Sequence, residues 1–114
     1  MPAYTPARGD LVWIDFEPNA GAEIDKRRPA LVLSPQGFNA SGFAFVAPVT
    51  STERGRRRTD VHLPSGGKVA GAILLHQTRS LDWRARRAEK AEQAAPAVMA
   101  EALAKLSAIL GFDT

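Results

Sequence analysis

The sequence predicts a small, mainly β protein, a barrel or sandwich of five to seven short strands closed by one C-terminal helix. Three observations predict it. Short apolar runs recur at close spacing and are separated by Gly, Pro and polar turns. A helical period appears only near the end of the chain, so the strands do not alternate with helices as βαβ units require. The length, 114 residues, suits a single domain over residues 1–114 with one core.

The elements follow in order. Gly9 to Phe16 reads as a first strand, with Val12, Ile14 and Phe16 on one face and Leu11, Trp13 and Asp15 on the other. Pro18 ends it, and Asn19 to Arg28 is a polar loop. Pro29 to Ser34 is a short apolar run of the kind buried on both faces. Ser34-Pro35-Gln36-Gly37 turns the chain into a strand from Phe43 to Val49, where Pro48 requires an irregularity or a free amide edge. Thr50 to Arg58 is a second polar loop. Thr59 to Leu63 alternates weakly, Ser65-Gly66-Gly67-Lys68 signals a hairpin, and Gly71 to Leu75 opens a strand that can run on to Ser80. Asp82-Trp83-Arg84 suits a helical turn and Arg87 to Glu92 a last strand. The closing helix places Met99, Leu103, Leu106 and Leu110 on one stripe. Pro96 fits its first turn, Gly111 its end, and Glu101 and Lys105 can pair across one turn.

Composition narrows the function. The absence of cysteine excludes disulfides, thiolate metal sites and a Cys nucleophile, and fits a reducing cytoplasm. There is no signal-peptide pattern and no apolar stretch of membrane-spanning length. The net charge of +3 is modest, but the bases are grouped: Lys26-Arg27-Arg28, then Arg54 with Arg56, Arg57 and Arg58, then Arg84, Arg86, Arg87 and Lys90. One such group is as readily a solvated loop; three together favour a nucleic acid, because the guanidinium fork matches phosphate oxygens.

No phosphate-cradling Gly-rich loop is present, and the two histidines, His62 and His76, lack metal-ligand spacing. Both read as partly exposed strand positions rather than as an acid–base pair. The loop from Gly21 to Arg28 carries Glu23 and delivers Arg28 to the edge of a rigid strand, where Pro29 restricts it to extended backbone. Spacing alone leaves open whether Arg28 meets a phosphate or Glu23. Thr50 occupies the equivalent place after the third strand, either as a phosphate donor or as a loop cap. Trp13 reads as core, Phe16 as a base-stacking candidate at a strand end, and Trp83 as either stacking or subunit packing.

The ordered set Gly9-Asp10-Leu11-Val12-Trp13-Ile14-Asp15-Phe16, Gly21, Glu23, Arg28-Pro29-Ala30-Leu31-Val32-Leu33-Ser34, Phe38-Asn39, Val46-Ala47-Pro48-Val49-Thr50-Ser51 and Gln77-Thr78-Arg79-Ser80-Leu81-Asp82 resembles the MazF/PemK family of toxin endoribonucleases, from about residue 9 to 110. The resemblance implies an SH3-like barrel of the CcdB/MazF kind with a C-terminal helix. It implies a cytoplasmic homodimer without cofactor or metal that cleaves single-stranded mRNA at a short preferred sequence and is blocked by a MazE-like antitoxin. It casts Arg28 and Thr50 as the catalytic pair, assisted by Glu23, with RNA contacts at Phe16, Asn39, Ser51 and Gln77; the bases Arg54 and Arg56 join them from the second cluster. Where many relatives carry Gln and Gly, this chain has Ile24-Asp25-Lys26-Arg27, so no base preference carries over. RNA brings its own nucleophile, the 2′-hydroxyl, and the protein must neutralise a phosphorane and move protons. A guanidinium suits the first task and a carboxylate the second. The rival readings are a non-catalytic gyrase poison of the CcdB kind and a plain nucleic-acid-binding barrel.

Overall fold

The computed structural model describes residues 3–16, 27–51 and 57–112. Its centre is three antiparallel strands, β1 (Asp10–Asp15), β2 (Arg27–Val32) and β3 (Phe43–Thr50). They are apolar on both faces because both faces are covered. On one face Leu11, Leu31, Ala47 and Val49 pack beneath a C-terminal helix; on the other Val12, Ile14, Ala30, Val32, Ala44 and Val46 pack against Leu81 and Trp83. Alternate side chains of one strand thus feed two separate cores.

The remaining elements wrap this centre. After β2 comes a four-residue helix, α1 (Gln36–Asn39), where the sequence suggests only a turn. β4 (Asp60–His62) and β5 (Ala72–Leu74) pair with each other, and β5 also pairs with β3. A 3-10 turn at Leu75–Gln77 then interrupts the strand expected to reach Ser80, and β6 (Arg79–Asp82) starts afresh on the same edge of β3. β7 (Glu89–Gln93) lies against β1, and α2 (Pro96–Leu110) closes the chain.

The sheet order is β4-β5-β3-β2-β1-β7, with β6 on β3; the sheet is not closed, while the expected mainly β fold with a C-terminal helix holds. The two edge strands are bridged by side chain and loop instead. Glu92 of β7 accepts the Val69 amide at 2.9 Å, from the loop that follows β4. Covering an edge in this way removes its open hydrogen-bonding groups without a full ladder.

Pro48 sits where its missing amide costs nothing. The Leu33 amide donates to the Phe45 carbonyl at 2.8 Å, so odd residues of β3 turn their backbone toward β2 and even residues turn away. The edge that Pro48 faces is the gap between β5, which pairs at Val49, and β6, which pairs at Val46.

The helix stripe is rotated from the expected one. Val98 and Ala102 are the buried positions, with Met99 and Leu106 alongside, while Leu110 is 57% exposed. Small residues occupy the line of closest approach to the sheet, and Leu110 overhangs it. The helix ends as expected: Gly111 has φ +81°, and the Gly111 and Phe112 amides donate to Ala108 and Ser107. Glu101 and Lys105 pair at 2.8 Å.

The two tryptophans reverse their expected places. Trp13 is 38% exposed, beyond the reach of α2, whereas Trp83 is 4% exposed and donates its indole NH to the Asn39 carbonyl at 2.7 Å. Trp83 is therefore core of this chain, not a subunit contact. Asn39 is likewise internal and fully buried. Its amide nitrogen donates to the carbonyls of Pro6 and Ser34, both at 2.9 Å, and its oxygen accepts the Ser34 hydroxyl. Every polar atom of the side chain is engaged, so Asn39 has nothing to offer RNA; that expectation is corrected. Asn39→Ala is expected to lower stability by about 3 kcal/mol, since it strands several buried polar groups at once. Thermal unfolding followed by circular dichroism checks it, with a fall in Tm of roughly 10 °C. Among the described residues no helix is long and apolar enough to cross a membrane.

Candidate nucleic-acid cleavage site

Several candidate residues fall at one end of the sheet, where β1 and β3 finish and β2 begins. The β1–β2 register pairs Ile14 with Arg28. Directly opposed residues share a face, and Ile14 belongs to the Trp83 core. Arg28 therefore projects on that side, at the rim of the core. β3 pairs with β2 as Ala30 to Pro48 and Leu31 to Ala47. Carrying this register two residues further sets Arg28 opposite Thr50. Thr50 follows Val49, which points into the helix-side core, so the threonine side chain points to the Arg28 side. A guanidinium and a hydroxyl on neighbouring strands, about 5 Å apart in the ladder, can address one phosphate.

Thr50, paired with Ala72, is crowded by the residue that precedes its partner. Gly71 has φ +120° and lies so close that an added Cβ would overlap the Thr50 carbonyl and stand 2.8 Å from its carbonyl carbon. Here glycine is required twice, for its backbone conformation and for the close approach.

Arg28 is held from the opposite face of the sheet. Asp15 receives Arg27 Nη1 at 3.1 Å and Arg87 Nε at 2.9 Å. Arg27 also donates to the Arg87 carbonyl at 2.8 Å and meets Glu89 at 3.2 Å. These contacts tie the start of β2 to β1 and to the turn before β7, one residue from Arg28. The Arg87 guanidinium, then Arg27, hold the Asp15 carboxyl below its ordinary range, against a partial loss of hydration. Arg87 itself has φ +57°, a strained conformation for a side chain with Cβ, at a cost of order 1 kcal/mol that the Asp15 pair and the Arg27 bond offset.

The third basic cluster is thus engaged within the protein. Arg84 stacks on Trp83 at 4.6 Å, Arg86 donates to the Asp15 carbonyl, Arg87 pairs with Asp15, and Lys90 lies 3.5 Å from Asp10. Arg86, Arg87 and Lys90 are thus tied to protein oxygens, whereas Arg84 lies over Trp83 with no carboxylate partner among the described residues. Arg28, too, has no carboxylate partner for its guanidinium among the described residues.

The other candidates are placed as follows. Ser51 is exposed and adjoins Thr50; Gln77 is exposed in the 3-10 turn, 3.4 Å from the His76 ring. Phe16 is only 6% exposed and belongs to the Trp83 core. It offers at most a rim to a nucleobase, because Arg79 covers its ring at 5.8 Å. Glu23, Arg54 and Arg56 lie outside the described residues. His62 is exposed and opposes Ala72, which opposes Thr50, so it shares this face two strands away. His76 is exposed as well. Among the described residues no three His, Asp or Glu side chains gather as metal ligands. Arg79, which the sequence reading did not single out, lies on this same face. Its only signal was its place two positions after Gln77, and the register with β3 that gives it meaning is non-local.

Comparison with known proteins gives a family match. Residues 7–110 match the family described as PemK-like, MazF-like toxin of type II toxin–antitoxin system. The chain is 38% identical over 109 residues to the endoribonuclease toxin MazF of Escherichia coli strain K12, covering 95% of this chain and 96% of that one. It superposes on the crystal structure of MazF from Deinococcus radiodurans with a TM-score of 0.86 and 46% identity, covering 96% and 99% of the two chains. The crystal structure of MazE–MazF from the same organism matches with a TM-score of 0.83 and 44% identity, covering 96% and 98%.

Proposed function

The chain belongs to the PemK-like, MazF-like toxin family of type II toxin–antitoxin systems, and from that premise we propose that it is a metal-independent endoribonuclease that cuts single-stranded mRNA. It acts as a single-domain toxin in the cytoplasm, as a homodimer, and a MazE-like antitoxin neutralises it. The observation that carries the reading is the near full-length match to a chain named an endoribonuclease toxin. The MazE–MazF match supports the antitoxin partner. The shared face of Arg28 and Thr50 supports the chemistry.

The substrate supplies the nucleophile. The ribose 2′-hydroxyl attacks the adjacent phosphorus in line, the bond to the 5′-oxygen breaks, and a 2′,3′-cyclic phosphate and a 5′-hydroxyl result. Arg28 neutralises the phosphorane that forms between these steps, and Thr50 donates a hydrogen bond to a non-bridging oxygen. A guanidinium with a pKa above about 12 is a poor proton acceptor, so Glu23 takes the 2′-hydroxyl proton, and Arg28 donates a proton to the departing 5′-oxygen. Ser51, Gln77, Arg54 and Arg56 contact the RNA strand on either side.

The test is direct. The purified chain, given a long single-stranded RNA in EDTA, is expected to cut at a short recurrent sequence and leave cyclic phosphate ends. A single deoxyribose at the 5′ side of the cut is expected to block it. Cleavage that appears only with added Mg²⁺, or toxicity without RNA cleavage, contradicts the proposal.

A further inference from the structure

We infer that Arg79 is a further RNA-binding residue, engaging a backbone phosphate beside the cut; the inference rests on the ribonuclease reading above. Four observations lead to it. β6 pairs Arg79 with Val46, and Val46 belongs to the Trp83 core, so Arg79 projects on the face that carries Arg28 and Thr50. Its guanidinium carbon lies 5.8 Å from the centre of the Phe16 ring. The side chain is exposed. Among the described residues it has no carboxylate partner, whereas Arg27, Arg87, Lys90 and Lys105 all have one.

The physical argument is one of preorganisation. A guanidinium is weakly hydrated on its flat faces and lies readily on an aromatic ring. Phe16 lies on one side of the Arg79 guanidinium, and the side chain is exposed to solvent. A pre-positioned fork without a competing carboxylate loses less freedom on meeting a phosphate than a free surface arginine does.

The experiment compares wild type, Arg79→Met and Arg79→Lys, with Lys68→Met as a control for loss of one exposed charge on the helix-side loop. Cleavage of a long single-stranded RNA in EDTA gives kcat and KM. Binding of a short, labelled, mixed-sequence DNA strand, which lacks the 2′-hydroxyl and is not cut, is measured across a range of NaCl. For Arg79→Met the expected result is a KM raised roughly tenfold at nearly constant kcat, with the slope of log affinity against log salt reduced by about 0.7, one single-strand phosphate. Arg79→Lys is expected to keep the slope, and Lys68→Met to match wild type in both. A KM and a salt slope unchanged in Arg79→Met overturn the inference, as does a loss of thermal stability with no change in slope, which marks a purely structural lid on Phe16. If wild type cuts no RNA, the ribonuclease reading fails, and the DNA arm still decides Arg79: a reduced slope supports the contact and an unchanged one refutes it.

Discussion

Arg28→Ala is expected to lower the rate of RNA cleavage by roughly 10²–10³-fold while leaving the fold intact, the loss typical of removing one well-placed electrostatic donor. The two halves of this expectation come from the same geometry. Arg28 is half-buried at the end of β2, and among the described residues no carboxylate faces it. Its removal strands no carboxylate among the described residues, so stability is expected to change by less than about 1 kcal/mol. Its charge is instead reserved for whatever anion enters beside Thr50. The neighbouring Arg27 offers the contrast. It is tied to Asp15, Glu89 and the Arg87 carbonyl, so Arg27→Ala is a structural substitution. Initial rates in EDTA, with circular dichroism to check the fold, separate the two. Arg28→Lys is expected to recover only part of the rate, because an ammonium lacks the two-pronged geometry. Cleavage by Arg28→Ala within a few-fold of wild type contradicts the catalytic assignment.

How much of this was legible in the sequence depends on which interactions are local. The two-residue period placed Val12, Ile14 and Phe16 on one face correctly, and the apolar run from Pro29 did mark a strand buried on both sides. What the period cannot give is the extent of each cover. Leu11 and Trp13 share a face, yet Leu11 lies under α2 and Trp13 beyond it, so one is buried and the other exposed. Polar residues mislead for the same reason. The resemblance casts Asn39 as an RNA contact, but Pro6, Ser34 and Trp83 converge on it from three separate segments. The arginine clusters show the limit from the other side. Arg28 and Arg87 are equally basic in the sequence, and only the fold shows that Asp15 engages Arg87 and leaves Arg28 open. Arg28 and Thr50 stand in the sequence where a polar loop meets an apolar strand, but it is the family resemblance, not their spacing, that singles them out. Arg79 was not legible, because its value lies in the pairing with Val46 across β3 and in the Phe16 ring beneath it.

The second large effect concerns a residue with no side chain. Gly71→Ala is expected to lower both stability and cleavage, and a second glycine shows why the two losses have different origins. Gly66 has φ +99° with nothing within 4 Å of an added Cβ, whereas Gly71 has φ +120° and a Cβ there meets the Thr50 carbonyl and stands 3.1 Å from the Ser51 Cα. Both substitutions carry the backbone penalty of a positive φ, about 1–3 kcal/mol. Only Gly71→Ala adds an overlap with main chain, which has no rotamer to escape into, so β3 must move at Thr50. Cleavage by Gly66→Ala is therefore expected to match wild type once unfolded protein is corrected for. Gly71→Ala is expected to lose at least roughly tenfold in kcat under the same correction, because the hydrogen bond that Thr50 gives to the phosphate tolerates only fractions of an ångström. Parallel thermal melts and initial rates for the pair supply both quantities. If Gly71→Ala melted lower yet kept the wild-type kcat, the position of Thr50 would be irrelevant to the chemistry. The convergence of its hydroxyl with the Arg28 guanidinium would then be a feature of the fold alone.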